Sequence, residues 1–386
     1  MIAQISALAI YIHWPFCVSK CPYCDFASFA TPVGDETRLL ESYKSEIAHY
    51  AALTPERRVT SLYFGGGTPS LMKPETLAAL INEVSRFWPF AEDIEITLEA
   101  NPVTAEIDKF EAFRAAGVNR LSLGVQSFSD ETLRFLGRAH DADQARRALH
   151  LASAIFPRFS FDLIYAMAGQ TLNMWREEVT QALAFRPKHL SLYQLTVEPH
   201  TAFHIRAMRG AKLTAFEDKA ADLYEATQEI LGAAGLPAYE ISNHAALGEE
   251  SRHNLTYWTY GDYLGIGPAA HGRLVLGGER QAIENHKNPK FWADQIKARG
   301  HGAAHKEILN VEEAAREALL MGLRLSEGVG EALFVERVGV PVNRFIDEDR
   351  WAKLEKEGLV FHKDARWGAT REGRTKLNAI LDYCIA

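Results

Sequence analysis

The run Leu8-Ala-Ile-Tyr-Ile-His13 passes directly into Trp-Pro-Phe-Cys17-Val-Ser-Lys-Cys21-Pro-Tyr-Cys24-Asp-Phe26. The first part is short, apolar and closed by proline, which reads as a β-strand. The second part places three cysteines within eight residues, as Cys-x3-Cys-x2-Cys, on the loop that follows. Three thiolates on one loop can each take one iron of a cubane 4Fe-4S cluster and leave the fourth iron open to a small molecule. Zinc is the rival occupant, with His13 or Asp25 as a fourth ligand. Zinc sites, however, usually pair two distant Cys-x2–4-Cys arms, and the chain has no second pair. The remaining cysteine, Cys384, is far along the chain and is expected to be dispensable to the array. Such clustering also argues against a disulfide framework, which would be spread out.

Working outward, the first 200 residues alternate between two periodicities. Strand-like runs occupy Leu8–His13, Ser61–Phe64, Ile94–Glu99, Arg120–Val125, Phe159–Ile164 and His189–Thr196. Between them, apolar residues recur at three and four spacing over Glu36–Leu53, Pro74–Phe87, Ala105–Ala116, Asp143–Ala154 and Met174–Phe185. Six strands alternating with helices predict βαβ units and a parallel sheet with right-handed crossovers. An open sheet and a barrel both satisfy that pattern. In either, ligands bind at the C-terminal ends of the strands, where the Gly, Glu and Gln residues of this chain gather. Beyond residue 200 the pattern changes. Thr214–Ala234 reads as one long amphipathic helix, Glu312–Leu323 and Val342–Lys356 as further helices, and Leu359–His362 with Arg366–Ala369 as a hairpin. Helices followed by a hairpin resemble a winged helix, which serves as often for packing as for binding nucleic acid.

The 386 residues are 47% hydrophobic and 24% charged, which excludes extended disorder and fits two to three domains or one large barrel with an appendage. Lys and Arg number 42 against 50 Asp and Glu, a net charge of −8 that argues against a coat for nucleic acid or anionic membrane. No stretch is apolar enough to span a bilayer. The start lacks a basic n-region and a cleavage site, so it reads as mature protein rather than a signal peptide.

Several strand ends carry candidate ligand groups. Gly65-Gly66-Gly67-Thr68 follows the second strand, and bare backbone there lets a ligand approach. Glu99-Ala-Asn101-Pro102 ends the third strand and Gly124-Val-Gln126-Ser127 the fourth. Asp162 interrupts an apolar run, where an acid is costly unless paired or bound. Arg138, in Gly-Arg-Ala-His140, can grip a carboxylate with two N–H groups.

Taken in order, YIHWPFCVSKCPYCDF, FGGGTPS, LEANP, LGVQSF and GRAH resemble the radical S-adenosylmethionine (SAM) superfamily. Within it they resemble the branch that holds oxygen-independent coproporphyrinogen III oxidase and the HemW-type haem chaperones. The similarity runs over nearly the whole chain. It implies a partial (β/α)6 TIM-like barrel with a smaller, mostly helical, winged-helix-like C-terminal domain. The corresponding boundaries are 1–200 for the barrel with its cluster and SAM site, 201–305 for a connecting segment that completes the barrel side, and 306–386 for the C-terminal domain. Residue by residue, it implies that Cys17, Cys21 and Cys24 hold a 4Fe-4S cluster. Tyr11, Tyr23, Gly66, Gly67, Thr68, Glu99, Gln126, Arg138 and Asp162 match positions that contact SAM.

The resemblance also separates the two members of the branch. The oxidase usually carries a further cysteine two residues after the third, where this chain has Phe26, and a long extension before its array, where this chain has 16 residues. Both departures match the chaperone, as does His253-Asn-Leu-Thr-Tyr257-Trp258, a motif associated in that family with haem. It implies His253 as a haem ligand, with Tyr257 and Trp258 as faces for the porphyrin; His271 is a rival ligand. The implied function is a cytoplasmic protein that binds haem and passes it to an acceptor, respiratory-chain or membrane-associated, without nucleic acid and compatibly with a homodimer. Decarboxylation of coproporphyrinogen III is the alternative, and a zinc-stabilised module a third. One family turn departs: where G-x-P-G-Q-T is usual, this chain reads Ala166-Met-Ala168-Gly-Gln-Thr171, which predicts a looser turn.

Overall fold

The computed structural model describes residues 6–385. Strands β1 (Ser6–Trp14), β2 (Arg57–Gly66), β3 (Phe90–Ala100), β4 (Arg120–Gln126), β5 (Arg158–Tyr165) and β6 (His189–Gln194) pair in parallel in the order of the chain. Between them run α1 (Glu36–Leu53), α2 (Pro74–Phe87), α3 (Ile107–Ala115), α4 (Asp130–Phe135), α5 (Ala142–Ile155) and α6 (Leu172–Ala184). A doubly wound sheet reverses its strand order at a switch point; this one does not. Right-handed crossovers in one direction put every helix on one face and leave the other face to the interior. The architecture is therefore the partial (β/α)6 barrel.

Local chemistry explains the helices. Asp35 caps α1 by accepting from the Arg38 N–H at 3.1 Å, Pro74 starts α2, and Asp141 with Gln144 forms a capping box on α5. Helix α4 was not anticipated: it is six residues long, too short to show a period, and is announced only by its cap, Ser129.

The remaining strands extend both edges. After α7 (Ala202–Met208) and α8 (Glu217–Ala233), β7 (Asn243–Ala245) pairs antiparallel with β6. After α9 (Arg252–Trp258), β8 (Tyr263–Ile266) pairs parallel with β1, and β9 (His271–Leu276), β10 (Glu279–Asn285) and, past α10 (Pro289–Arg299), β11 (Ala303–Ile308) follow antiparallel. The sheet thus has eleven strands, and β7 and β11 at its edges do not pair with each other. Helix α8 begins later than expected because residues 213–215 are taken up beside the turn after β5: the Ala168 N–H donates to the Leu213 carbonyl at 3.0 Å and the Ala215 N–H to the Ala166 carbonyl at 2.8 Å. That turn is therefore tied down, not loose, and the Ala168 bond is one that a proline could not make.

Side chains alternate across the parallel strands with period two. Leu62, Phe64, Ile96, Leu98, Leu121, Leu123, Phe161, Leu163, Leu190 and Leu192 face the helices and form the main core. The intervening residues, mostly polar, face the interior.

The C-terminal part has its own core, in which Leu319 of α11 (Val311–Gly322) packs with Phe334, Trp351, Trp367 and Leu377. Strands β12 (Val329–Gly330), β13 (Val360–Lys363) and β14 (Arg366–Ala369) form a small sheet in the order β12-β14-β13, the wing of a winged-helix-like domain. The expected helix over Val342–Lys356 breaks into a 3-10 turn and a helix at Glu348–Lys356, because Asp347 accepts from the Arg350 N–H at 3.0 Å and caps the second. Cys384 is buried in this core, away from the other cysteines. No described helix is long and apolar enough to cross a membrane.

Candidate functional site

A cavity of about 480 Å³ opens inside the barrel, lined at one end by the cysteine loop and at the other by Arg120, His189, Ser251 and Asn254. Cys17, Cys21 and Cys24 all line it. Their loop is closed at its base: the Cys17 N–H donates to the Phe29 carbonyl at 3.0 Å and the Phe29 N–H to the Pro15 carbonyl at 2.7 Å. His13 braces it from beneath, with Nε2 on the Ala27 carbonyl at 2.9 Å and Nδ1 on the Tyr11 hydroxyl at 3.0 Å. Both its nitrogens are engaged, so the geometry gives no support to His13 as a zinc ligand. Burial pushes the Cys24 thiol up, so ionising it needs a nearby cation.

The glycine turn after β2 packs on this loop. A Cβ at Gly67 would stand 2.6 Å from the Phe16 carbonyl oxygen and 3.0 Å from Cys17 Sγ; one at Gly66, where φ is +113°, would meet the His13 ring. The Gly67 N–H donates to the Trp14 carbonyl and the Thr68 N–H to that of Phe16. Glu99, from β3, is held by the Tyr63 hydroxyl at 2.8 Å and the Gly66 N–H at 3.2 Å. Burial raises its carboxyl to about 7 against those bonds.

The motif Gly137-Arg138-Ala-His140 resolves into three jobs. Gly137 (φ +65°) lies against Pro22, where a Cβ would come within 2.5 Å of Cδ. Arg138 enters the cavity and donates to Cys21 Sγ at 3.3 Å, the Tyr23 hydroxyl at 3.4 Å and the Gly124 carbonyl at 2.9 Å. His140 is buried and sets Nε2 on the Val125 carbonyl at 2.9 Å. Gln126 ends β4 with φ +69°, and its Oε1 is buried without a partner. Asp162 lines the same wall, and burial raises its carboxyl to about 6.

Of the expected SAM contacts, Tyr23, Gly66, Gly67, Thr68, Glu99, Gln126, Arg138 and Asp162 line this one cavity. Tyr11 does not; it lies a layer behind, against Gly65 and Tyr63. The expected haem residues lie at the other end of the barrel. His253 is 5% exposed, with Nδ1 on the Ser61 hydroxyl at 3.1 Å and its ring stacked on Tyr63 at 4.9 Å. Burial lowers its pKa to about 3. Tyr257 packs between Trp258 and Tyr263, and Arg324 covers the Trp258 ring at 4.7 Å. So placed, His253 offers its ring to the barrel interior and presents no open face to a porphyrin, contrary to the reading of this motif as a haem ligand set. Its rival His271 is half exposed beside Glu284.

Sequence reasoning missed the charged floor. Glu95 of β3 joins Arg158 at 3.0 Å and Arg120 at 3.5 Å, and accepts from the His253 N–H at 3.3 Å, which fastens α9 across the barrel. The signal was present in the alternation Arg120-Leu-Ser-Leu-Gly-Val-Gln126, in which every second residue is apolar.

A model described as the radical SAM superfamily matches residues 11–182, and one described as the HemN C-terminal domain matches 309–375. The chain is 36% identical to the heme chaperone HemW of Haemophilus influenzae over 99% of each chain. It belongs to the HemW family of radical SAM proteins. It is also 40% identical to radical S-adenosyl methionine domain-containing protein 1, mitochondrial, of Bos taurus, over 83% of this chain and 74% of that one. Coproporphyrinogen III oxidase (HemN) from Escherichia coli, a radical SAM enzyme, superposes with a TM-score of 0.82 over 98% of this chain and 89% of that one; at 24% identity this shows the shared fold.

Membership of the HemW family implies a 4Fe-4S cluster and SAM. The residues present fit both. Three thiolates share one cavity, two glycines keep the wall beside Cys17 free of side chains, and Gln126 Oε1 is a buried acceptor in want of a donor.

Proposed function

We propose that this chain is a haem chaperone that binds haem and passes it to an acceptor protein. The near full-length similarity to a heme chaperone carries the reading. Cys17, Cys21 and Cys24 would hold the cluster. Gly66, Gly67 and Thr68 would admit SAM beside it, with Glu99 and Asp162 facing its positive charges, Gln126 accepting from a donor, and Arg138 with Tyr23 steadying the Cys21 side. When bound and reduced, the cluster supplies single-electron chemistry to SAM. The protein's own contribution is a dry, preformed wall: Arg138 holds a positive charge beside Cys21, where thiolate charge collects. We read the protein as cytoplasmic and its acceptor as respiratory-chain or membrane-associated; a homodimer fits the reading.

Haemin titration of the reconstituted protein tests this. A saturable Soret band, followed by loss of that band on mixing with an apo-haemoprotein, is the expected result. Absence of a Soret change overturns it. Zinc without iron or sulfide on metal analysis would overturn the cluster assignment.

A further inference from the structure

The haem-chaperone reading needs an accessible place for an iron porphyrin, and His253 is closed off within the barrel. The segment from Pro199 to Phe216 is different in kind. It reads Pro-His200-Thr-Ala-Phe203-His204-Ile205-Arg206-Ala-Met208-Arg209-Gly-Ala-Lys212-Leu-Thr-Ala-Phe216 and contains no acid, within a chain of net charge −8.

Its place in the fold is fixed by one face of α7. Phe203 and Ala207, one turn apart, pack into a satellite core with Leu136, Ile164 and Leu213, against which Tyr23 of the cysteine loop lies. The Phe203 N–H donates to the Pro22 carbonyl at 2.8 Å, so α7 is bolted to the loop that carries the cysteines. Glu198, just before it, lines the cavity. The opposite face is left to solvent. There His204, partly exposed, sits four residues before Met208, which is 77% exposed, beside Ile205 at 50%; Phe216 follows at 73%. Apolar side chains this exposed, close together, mark a surface that something covers.

The geometry points to this face of α7 as the haem-docking site, with His204 as the axial ligand. The deduction rests on the haem-chaperone reading and adds where the cargo sits. Its chemistry matches one occupant. An imidazole supplies the bond to iron. Ile205, Met208 and Phe216 supply apolar contact for the macrocycle, whose area is too large to leave in water at small cost. Arg209 and Lys212, both exposed, supply charge for the two propionates. Side chains at i and i+4 on a helix lie on the same side of an iron, so only one of His204 and Met208 takes the axial position. Haem held here would stand at the rim of the cofactor cavity and remain open to an acceptor.

The test is haemin titration by Soret absorbance on the cluster-loaded full chain, comparing wild type with four variants. His204→Ala should weaken binding about tenfold or more, about 1.4 kcal/mol, and shift the Soret and low-spin EPR signals away from those of imidazole ligation. Arg209→Glu with Lys212→Glu should weaken binding while leaving those signals in place. His200→Ala and His253→Ala, checked for folding by circular dichroism, should keep both affinity and signals. An unchanged titration and unchanged signals for His204→Ala overturn the assignment while leaving the chaperone reading intact. So does loss of the imidazole signature in folded His253→Ala or His200→Ala. Wild type that binds no haemin overturns both.

Discussion

Gly67 shows how much of the cofactor wall depends on single atoms. The residue is required because a Cβ there would meet a backbone carbonyl, which cannot swing away as a side-chain end can. Gly67→Ala should cost about 1–3 kcal/mol in overpacking and push Cys17 out of place, seen as lower iron content and 400 nm absorbance after reconstitution; full occupancy would contradict the packing argument. Glu99 and Asp162 carry a pH prediction. Burial holds their carboxyls at about 7 and about 6, above the usual carboxylate range. Below those values they are neutral and offer little to a cationic ligand. Above them they are anions. SAM affinity, measured by equilibrium dialysis, should therefore rise as pH climbs from about 6 to about 7 and level off beyond; an affinity flat over that range would contradict the assignment of both groups to the SAM wall. Cys384, buried in the second core, should change to Ser with no loss of 400 nm absorbance.

At the scale of elements, the turn after β5 carries the strain the family's usual glycine avoids. Ala166 adopts φ +64°, a left-handed conformation costing a β-carbon roughly 1 kcal/mol. Four hydrogen bonds hold it there: those of Ala168 and Ala215 to the 213–215 segment and its opposite side, the Gln170 N–H to the Met167 carbonyl at 3.1 Å, and the Ala166 N–H to Gln170 Oε1 at 2.7 Å. Ala166→Gly should thus stabilise the fold by about 0.5 kcal/mol, the relief of strain less the added entropy of an unfolded glycine, read as a higher urea midpoint; a lower midpoint would mean the Cβ earns packing that outweighs the strain. The same turn shows where sequence reading fell short. A missing proline was legible, but not that a segment 45 residues later would supply the bonds, because those contacts are tertiary. The six parallel strands and their five long helices were legible, since their apolar residues repeat with clean periods. Strands β8 to β11 were not: Glu-Arg-Gln-Ala-Ile-Glu-Asn and Ala-Ala-His-Lys-Glu-Ile are edge-strand sequences with few apolar residues to set a period.

For the whole molecule, a single acid joins the first helix to the added strands. Glu46 of α1 is fully buried and accepts from the Gly267 and Gly302 N–H groups at 2.8 Å each, from Trp292 Nε1 at 3.1 Å and from Asn285 Nδ2 at 3.1 Å. Glu46→Ala would strand four donors and should cost about 3 kcal/mol or more, measured by urea denaturation; a loss under about 1 kcal/mol would show that water replaces the carboxylate there. The C-terminal domain is tied on by Arg273, which grips Glu317 with two nitrogens at 2.8 and 2.9 Å. At this scale the motifs made the cofactor wall legible, because each marks a strand end facing one cavity. They misplaced the haem residues, because a one-dimensional motif does not say which way α9 faces once Glu95 draws it over the barrel floor.

The central claim is that this fold carries haem and does not convert a porphyrinogen. The most direct measurement gives the reconstituted protein SAM, a reductant and coproporphyrinogen III without oxygen, and looks for protoporphyrinogen. With an intact cluster that binds SAM, the account predicts no product. Appearance of protoporphyrinogen would contradict it and make the protein an oxidase in spite of Phe26.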